Sequence, residues 1–235
     1  MRVRDHPSAL VLVEGTDLHH DLIGAALALQ EIVVEGGLPA ARGVGLDRFA
    51  DPMPATAEAD VYVLYRSSVV FDPAQQRALA GLVAGGKGLV VLHAGNLFDP
   101  EADRTAFELV GSRYLSHGEG DSEGRLTVEI VADHPVTRHM TDFAIDDEYY
   151  HLDCLPGSDV LAVQDGRPAV YVRAHGAGRV CYLTLGHDAR AWGNPWFRQL
   201  VRQAALWAAG VSEGDVETWS TRWPLGNGRT IGGGR

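Results

Sequence analysis

The sequence predicts an α/β fold of three layers: a mainly parallel, twisted sheet with helices on both faces and an antiparallel extension in its second half. Three observations carry this. Short strands that are apolar throughout alternate with helical segments up to about residue 110, the pattern of a sheet covered on both sides. Several short strands joined by glycine-bearing turns then follow one another over residues 126–185. An amphipathic helix closes the pattern at residues 195–209.

Residues 9–13 form an apolar run that stops at Glu14-Gly15 and read as a buried first strand. Residues 21–34 then carry apolar side chains at helical spacing up to Gly36-Gly37. A second apolar strand covers residues 59–65. Asp72-Pro73 supplies an N-cap and a proline at the first helical position for a helix that ends near Ala84, before Gly85-Gly86. Residues 89–92 are the next strand and 104–110 the next helix. Beyond these, residues 126–131, 145–149, 159–164, 169–174 and 179–185 read as short strands. Some must be antiparallel, because residues 164–168 and 175–178 have the composition of hairpin connections. The closing helix places Phe197, Leu200, Val201, Ala204, Ala205 and Leu206 on its apolar side and stops at Gly210. Residues 1–210 are therefore one predicted domain, and residues 211–235 a C-terminal tail in which Trp219 and Trp223 can pin the chain to its own body or to a second subunit, as in a homo-oligomer.

Composition narrows the function. A chain of 235 residues, 46% hydrophobic and 22% charged, can bury a full core. Its formal net charge of -11, with no run of Lys or Arg, argues against nucleic acid or an anionic membrane as partner and favours a small neutral substrate. The longest apolar run is too short to span a bilayer, and a cytoplasmic location is expected. Cys154 and Cys181 are too few for a disulfide framework or a thiolate metal site and read as two buried free thiols. Any metal must then rely on His, Asp and Glu.

In open α/β sheets ligands bind beyond the carboxyl ends of the strands, so residues just after strands are the leading candidates. His19-His20-Asp21 follow the first strand by a short loop, His93 stands immediately after residues 89–92, and His187-Asp188 follow residues 179–185 through Gly186. His93 breaks a buried strand into the small residues Ala94-Gly95-Asn96, the shape of a nucleophile elbow with no Ser or Cys in it. An imidazole there can ligate a metal, act as a base or simply bond to loop backbone; a thioester route is removed with the thiol. The segment Asp146-Asp147-Glu148-Tyr149-Tyr150-His151 is the densest in polar and aromatic groups. As one continuous strand it would put Asp147, Tyr149 and His151 on one face and Asp146, Glu148 and Tyr150 on the other. Its three acids are either well solvated or held by a cation or a proton. His117 lies in a glycine-bearing loop and reads as a lid, a ligand or a solvated residue; His134 and His139 read as turn residues, and His6 and His175 carry no functional signal.

Several segments taken in order resemble the trehalose-utilisation protein A (ThuA-like) family, a branch of the flavodoxin-like, class I glutamine-amidotransferase-like fold. They are His20-Asp21, the stretch from Gly86 to Ala94, Asp133-His134-Pro135-Val136-Thr137, Asp147-Glu148-Tyr149-Tyr150, the stretch from Gly176 to Asp188, and Trp192-Gly193-Asn194-Pro195. In the amidotransferase relatives the elbow holds Cys and a late histidine completes the triad; here His93 takes the elbow and His187 looks like that late histidine, which argues against glutamine hydrolysis. The resemblance implies a carbohydrate or 3-keto-sugar substrate and no nucleotide cofactor. It nominates His93, His187 and Glu148 for acid-base catalysis, His20, His117, Tyr149, His151, Asp188 and Trp192 for contact with substrate, and His93 with His187 for a divalent metal, zinc first. Tyr149, Tyr150, Trp192 and Trp196 offer flat faces to a sugar ring or pack the core and rim. A catalytically silent sugar-binding or interaction domain that has lost its nucleophile is the competing reading.

Overall fold

The computed structural model describes residues 6–211 apart from 17, 68, 69, 100, 102 and 121. All but the first residue of the expected tail, with Trp219 and Trp223, lies outside the described residues. In chain order the elements are β1 (Ala9–Gly15), α1 (Leu22–Glu35), β2 (Ala40–Val44), α2 (Asp47–Ala50), α3 (Pro54–Glu58), β3 (Val61–Ser67), α4 (Pro73–Ala84), β4 (Gly88–Leu92), α5 (Thr105–Val110), β5 (Ser112–Ser116), β6 (Glu123–Ile130), β7 (Phe143–Glu148), β8 (His151–Cys154), β9 (Asp159–Gln164), β10 (Arg167–His175), β11 (Gly178–Leu183), α6 (Ala189–Trp192) and α7 (Pro195–Ala208). A nine-stranded sheet runs in the order β2-β1-β3-β4-β11-β10-β9-β6-β7, and β5 pairs with β8 in a second, small sheet. The first five strands of the large sheet are parallel and the last four antiparallel to their neighbours, as the two halves of the sequence predict.

Strand alternation divides the core into two layers. Ala9, Val11 and Val13 of β1 join Leu29 and Ile32 of α1 and Phe197, Leu200 and Val201 of α7 on one face. Leu10 and Leu12 join Leu79 and Val83 of α4 and Leu109 of α5 on the other. Each fully buried Leu, Ile or Phe of this kind contributes about 1.5–3 kcal/mol through loss of apolar surface to water. The helices start where their caps dictate. The Asp21 carboxylate accepts Gly24 N–H at 2.8 Å, Asp72 accepts Ala74 N–H at 2.7 Å, and Asn194 accepts Trp196 N–H at 2.9 Å with Pro195 behind it.

Five elements, β2, α2, α3, β5 and β8, escape the hydrophobic pattern. β2 is a half-exposed edge strand held by parallel pairing to β1, so backbone hydrogen bonds rather than apolar periodicity define it. The short helices α2 and α3 bury mainly Phe49 and Thr56. The strand expected over residues 145–149 ends at Glu148, and His151 begins β8 in the other sheet. The single alternating strand expected through Asp146–His151 is thus broken at Tyr149-Tyr150, which re-aims both tyrosines and separates Glu148 from His151. Both cysteines are free, but only Cys181 is buried; Cys154 is exposed at the end of β8, because its strand lies in the small outer sheet.

Candidate active site

The carboxyl ends of β1, β4 and β11 lie side by side in the parallel half, with β3 between the first two. Each delivers one histidine to the same point. His93 follows β4 directly and adopts φ = 51°, a left-handed conformation uncommon outside glycine. Small residues make the turn possible: a Cβ on Gly95 would lie 2.6 Å from Val91 Cγ1. The turn is held by Tyr182, whose hydroxyl donates to the His93 carbonyl at 2.9 Å. His93 is fully buried, not the crevice-surface residue that its place after a strand suggests, because the rings of His20, His187, Tyr65 and Tyr150 surround it.

Hydrogen bonding fixes the His93 tautomer. Its Nδ1 lies 2.9 Å from the Thr184 carbonyl oxygen, which can only accept, so Nδ1 carries the proton. The lone pair of Nε2 is left facing Glu148 Oε2 at 3.1 Å, His187 Nδ1 at 3.2 Å and the Tyr150 hydroxyl at 3.1 Å. Glu148 Oε2 is also 3.4 Å from His187 Nδ1. His20, in the loop between β1 and α1, completes the group with ring centroids 5.2 Å from His93 and 5.1 Å from His187. One ligand atom from each of His20, His93, Glu148 and His187 lies within 4.8 Å of every other.

Lone pairs and a carboxylate converging this closely repel one another unless a proton or a cation sits among them. The spacing suits a cation: nitrogen and oxygen ligands about 2.0–2.1 Å from a tetrahedral ion stand about 3.3 Å apart. The Nδ1-H bond from His93 to a backbone carbonyl is the outer-shell contact that orients metal-binding imidazoles. Burial alone would raise the Glu148 pKa, but the hydrogen bond that His93 gives from Nε2 when protonated on both nitrogens, and the positive charge that His93, His187 and His117 carry when protonated, hold the carboxyl below its usual value. Burial first, then the neighbouring Tyr182 and Glu148, push the Tyr150 phenol well above its usual value, so it stays a neutral hydrogen-bond donor.

Asp147 supplies the frame. It is almost fully buried, and its carboxylate accepts the backbone N–H groups of Gly186 at 2.7 Å, His187 at 3.1 Å and Glu148 at 2.9 Å. Burial raises its pKa, against the lowering effect of His93 and of these three N–H donors. Gly186, at φ = 116°, lets the chain turn so that His187 faces inward. The Tyr65 hydroxyl donates to the His187 carbonyl at 2.9 Å, and His187 Nε2 lies 3.7 Å from Glu123 Oε1.

A cavity of about 470 Å³ opens over the cluster, lined among others by His20, Tyr114, His117, Glu148, Tyr150 and His187. His117 Nδ1 donates to the Tyr149 carbonyl oxygen, which can only accept, at 2.9 Å. A larger cavity of about 970 Å³ adjoins it and holds Tyr149 and His151 in its wall. Asp188 and Trp192 line neither cavity. Asp188 caps α6 and pairs with Arg190, whereas Trp192 is buried and donates from Nε1 to the Gly186 carbonyl at 2.8 Å. Trp196 stacks on Phe143 at 6.3 Å, away from the cluster. Sequence reasoning missed Asp147, Tyr65 and Thr184 as parts of the site, and treated Tyr150 only as a flat face. Tyr65 and Thr184 carried a usable signal in their places near the ends of strands, and Asp147 stands in the Asp147-Glu148-Tyr149-Tyr150 segment.

Fold and site together define an α/β protein with a mixed sheet in which a buried histidine stands at the corner after β4 and three histidines converge on one carboxylate. The profile of the family described as "ThuA: Trehalose utilisation" matches residues 8–208, and the chain belongs to that family. A ThuA-like protein from Parabacteroides merdae is 18% identical, with a TM-score of 0.70 over 87% of this chain and 91% of that one. The cytoplasmic protein STM1381 from Salmonella typhimurium LT2 is 18% identical, with a TM-score of 0.58 over 89% and 98%. A part of the β-galactosidase from Bacillus circulans sp. alkalophilus, 31% of that chain, covers 86% of this one at 11% identity and a TM-score of 0.61. At these identities the three similarities speak to fold. No curated protein matches the sequence at a significant level. Among the described residues no helix is long and apolar enough to cross a membrane.

Proposed function

We propose that this chain is a carbohydrate-processing enzyme, acting in the cytoplasm on a sugar or keto-sugar through a divalent-cation centre, with zinc the best match to its donors. The observation that carries the proposal is the approach of His20, His93, His187 and Glu148 donor atoms to within 4.8 Å at the mouth of a cavity. His20, His93 and His187 would hold the ion, three protein ligands of the kind that catalytic zinc sites use. When bound, the ion polarises a keto or hydroxyl oxygen of the sugar. Glu148 would then take a proton from the substrate carbon or hydroxyl next to that oxygen and return it in the second half of the reaction. Tyr150, whose neutral hydroxyl lies 3.1 Å from His93 Nε2, would donate a hydrogen bond to the developing oxyanion. The membership in a trehalose-utilisation family supports a carbohydrate as substrate.

The test is metal analysis of protein purified without an affinity tag, followed by turnover of a panel of 3-keto-glycosides. About one equivalent of zinc, lost in His187→Gln but kept in Glu148→Gln with turnover abolished, is the expected result. Wild-type protein with no affinity for any divalent ion would overturn the metal centre. Glu148→Gln with full turnover would overturn the base, and metal-loaded protein inactive on every sugar would favour a silent binding domain.

A further inference from the structure

His187 lies between two carboxylates. Its Nδ1 faces inward, 3.2 Å from His93 Nε2 and 3.4 Å from Glu148 Oε2, whereas its Nε2 faces Glu123 Oε1 at 3.7 Å. A neutral imidazole carries a single proton, and the two sides compete for it. On Nδ1 the proton points at His93 and Glu148, and the ring cannot ligate an ion held in the cluster. On Nε2 it leaves the Nδ1 lone pair facing the place of the ion.

The fold places Glu123 to favour the second arrangement. At the start of β6 it stands directly opposite Glu148 of β7 in the antiparallel register, and opposed residues project to the same face of a sheet, so both carboxylates approach His187. Like charges in that position repel unless each has its own partner. Glu148 meets the imidazoles of His93 and His187, and Glu123 meets Arg190, whose Nη2 lies 2.5 Å from Glu123 Oε2. Arg190 is held in turn by Asp188 Oδ2, through Nε at 2.8 Å and Nη2 at 2.7 Å. This clasp takes one oxygen of Glu123 and leaves Oε1 to His187. Asp188, the neighbour of His187 in sequence, is occupied by the side chain and the backbone N–H of Arg190. At 3.7 Å the Glu123 contact is longer than a hydrogen bond, so its effect is one of charge: the carboxylate attracts an N–H and repels a lone pair.

We propose that Glu123 is a positioning residue of the cation centre: it draws the His187 proton to Nε2 and so turns the Nδ1 lone pair toward the ion, while Arg190 and Asp188 hold its carboxylate in place. This rests on the reading of His20, His93, Glu148 and His187 as a divalent-cation site. His93 has an outer partner of the same kind in the Thr184 carbonyl, but Glu123 carries a charge and stands in the wall of the inner cavity. Outer partners of metal-binding imidazoles are worth about 10–100-fold in metal affinity.

Zinc affinity of the full chain, measured by chelator competition, tests it with Glu123→Gln, which keeps the shape of the side chain and removes its charge. Affinity is expected to fall about tenfold, while the zinc-free protein melts at the wild-type temperature. Glu119→Gln removes the same charge from the wall of the larger, outer cavity and should leave zinc affinity unchanged. Long-range proton–nitrogen correlation spectra of the zinc-free protein read the tautomer itself: His187 is expected mainly as Nε2–H in wild type and shifted toward Nδ1–H in Glu123→Gln. Undiminished zinc affinity in Glu123→Gln, an unmoved tautomer, or an equal loss in Glu119→Gln would overturn the positioning role while leaving the cation centre standing. A zinc-free Glu123→Gln protein that melts well below wild type would make the residue structural instead. Wild-type protein that binds no zinc would overturn the cation centre and the role of Glu123 with it.

Discussion

The carboxylate of Asp147 accepts the backbone N–H groups of Gly186 and His187 at 2.7 and 3.1 Å, and this joins β7, at the far antiparallel edge of the sheet, to the loop that follows the last parallel strand. Because Glu148 is the next residue and its own N–H also bonds to Asp147, one buried carboxylate sets the separation of Glu148 and His187. Asp147→Ala should leave three buried N–H groups without their acceptor. Each unsatisfied group costs about 1–3 kcal/mol, so the variant should lose at least about 3 kcal/mol by denaturant unfolding, together with most of its zinc affinity. Asp147→Asn keeps one acceptor oxygen and should lose less of both. An alanine variant as stable as wild type would show that the loop is held by other contacts.

Tyr150 and a cation compete for the same lone pair of His93. Tyr150→Phe should therefore bind zinc at least as tightly as wild type in a chelator competition, while turnover falls by about 100–1,000-fold through loss of one oxyanion hydrogen bond. Zinc affinity that drops tenfold would place the tyrosine in the ligand set instead.

His93 and His187 should differ in what their replacement does to stability. His93 is fully buried within stacked rings, so His93→Gln is expected to cost about 1–2 kcal/mol as well as metal binding. His187 is partly open to the inner cavity, and His187→Gln should lose metal binding with a smaller loss of stability. Paired thermal melts and metal analyses distinguish the two; identical melts would mean that the ring contacts of His93 contribute nothing.

The α1–α7 contact should make stability weakly dependent on acid pH. Arg198 bonds to Glu35 at 2.7 Å and to Glu31 at 3.2 Å, and the hydrogen bond from Arg198, ahead of its charge and that of Arg202, holds the Glu35 carboxyl below its ordinary value. A carboxyl with a depressed folded pKa contributes stability above its unfolded pKa of about 4.3, and that contribution is lost as pH falls through the folded value. The pair is largely exposed, so the effect is at most about 1 kcal/mol and shrinks in high salt. Glu35→Gln should flatten this part of the profile of melting temperature between pH 5 and 3, and an unchanged profile would show the ion pair to be without effect.

Thiol chemistry should separate the two cysteines. Cys154 is exposed, although partial burial of its sulfur and the nearby Asp153 push its thiol up, whereas burial pushes the Cys181 thiol up much further. An aromatic disulfide reagent should therefore titrate one thiol in the native protein and two in denaturant. Two fast thiols under native conditions would contradict the burial of β11.

The sequence by itself determined the layers and the parallel half, because β1, β3, β4 and β11 are apolar on both faces and their helices carry explicit caps at Asp21, Asp72 and Asn194. It also singled out three histidines that meet in space, since the strand-end rule needs only the order of elements: His20, His93 and His187 each follow a parallel strand, and the structure brings their donor atoms together. Only the tertiary structure decided the rest. β2 and β5 are defined by pairing partners, which local hydrophobicity does not record. The break at Tyr149-Tyr150 turns Glu148 inward and sends His151 to the outer cavity, a choice made by the competition of two sheets for one segment. Asp147 reads in the sequence as one of three adjacent acids, either solvated or held by a cation or a proton. Its partners, the backbone of Gly186 and His187, are 39 and 40 residues away, and a contact at that separation exists only once the antiparallel extension has folded back beside the end of β11.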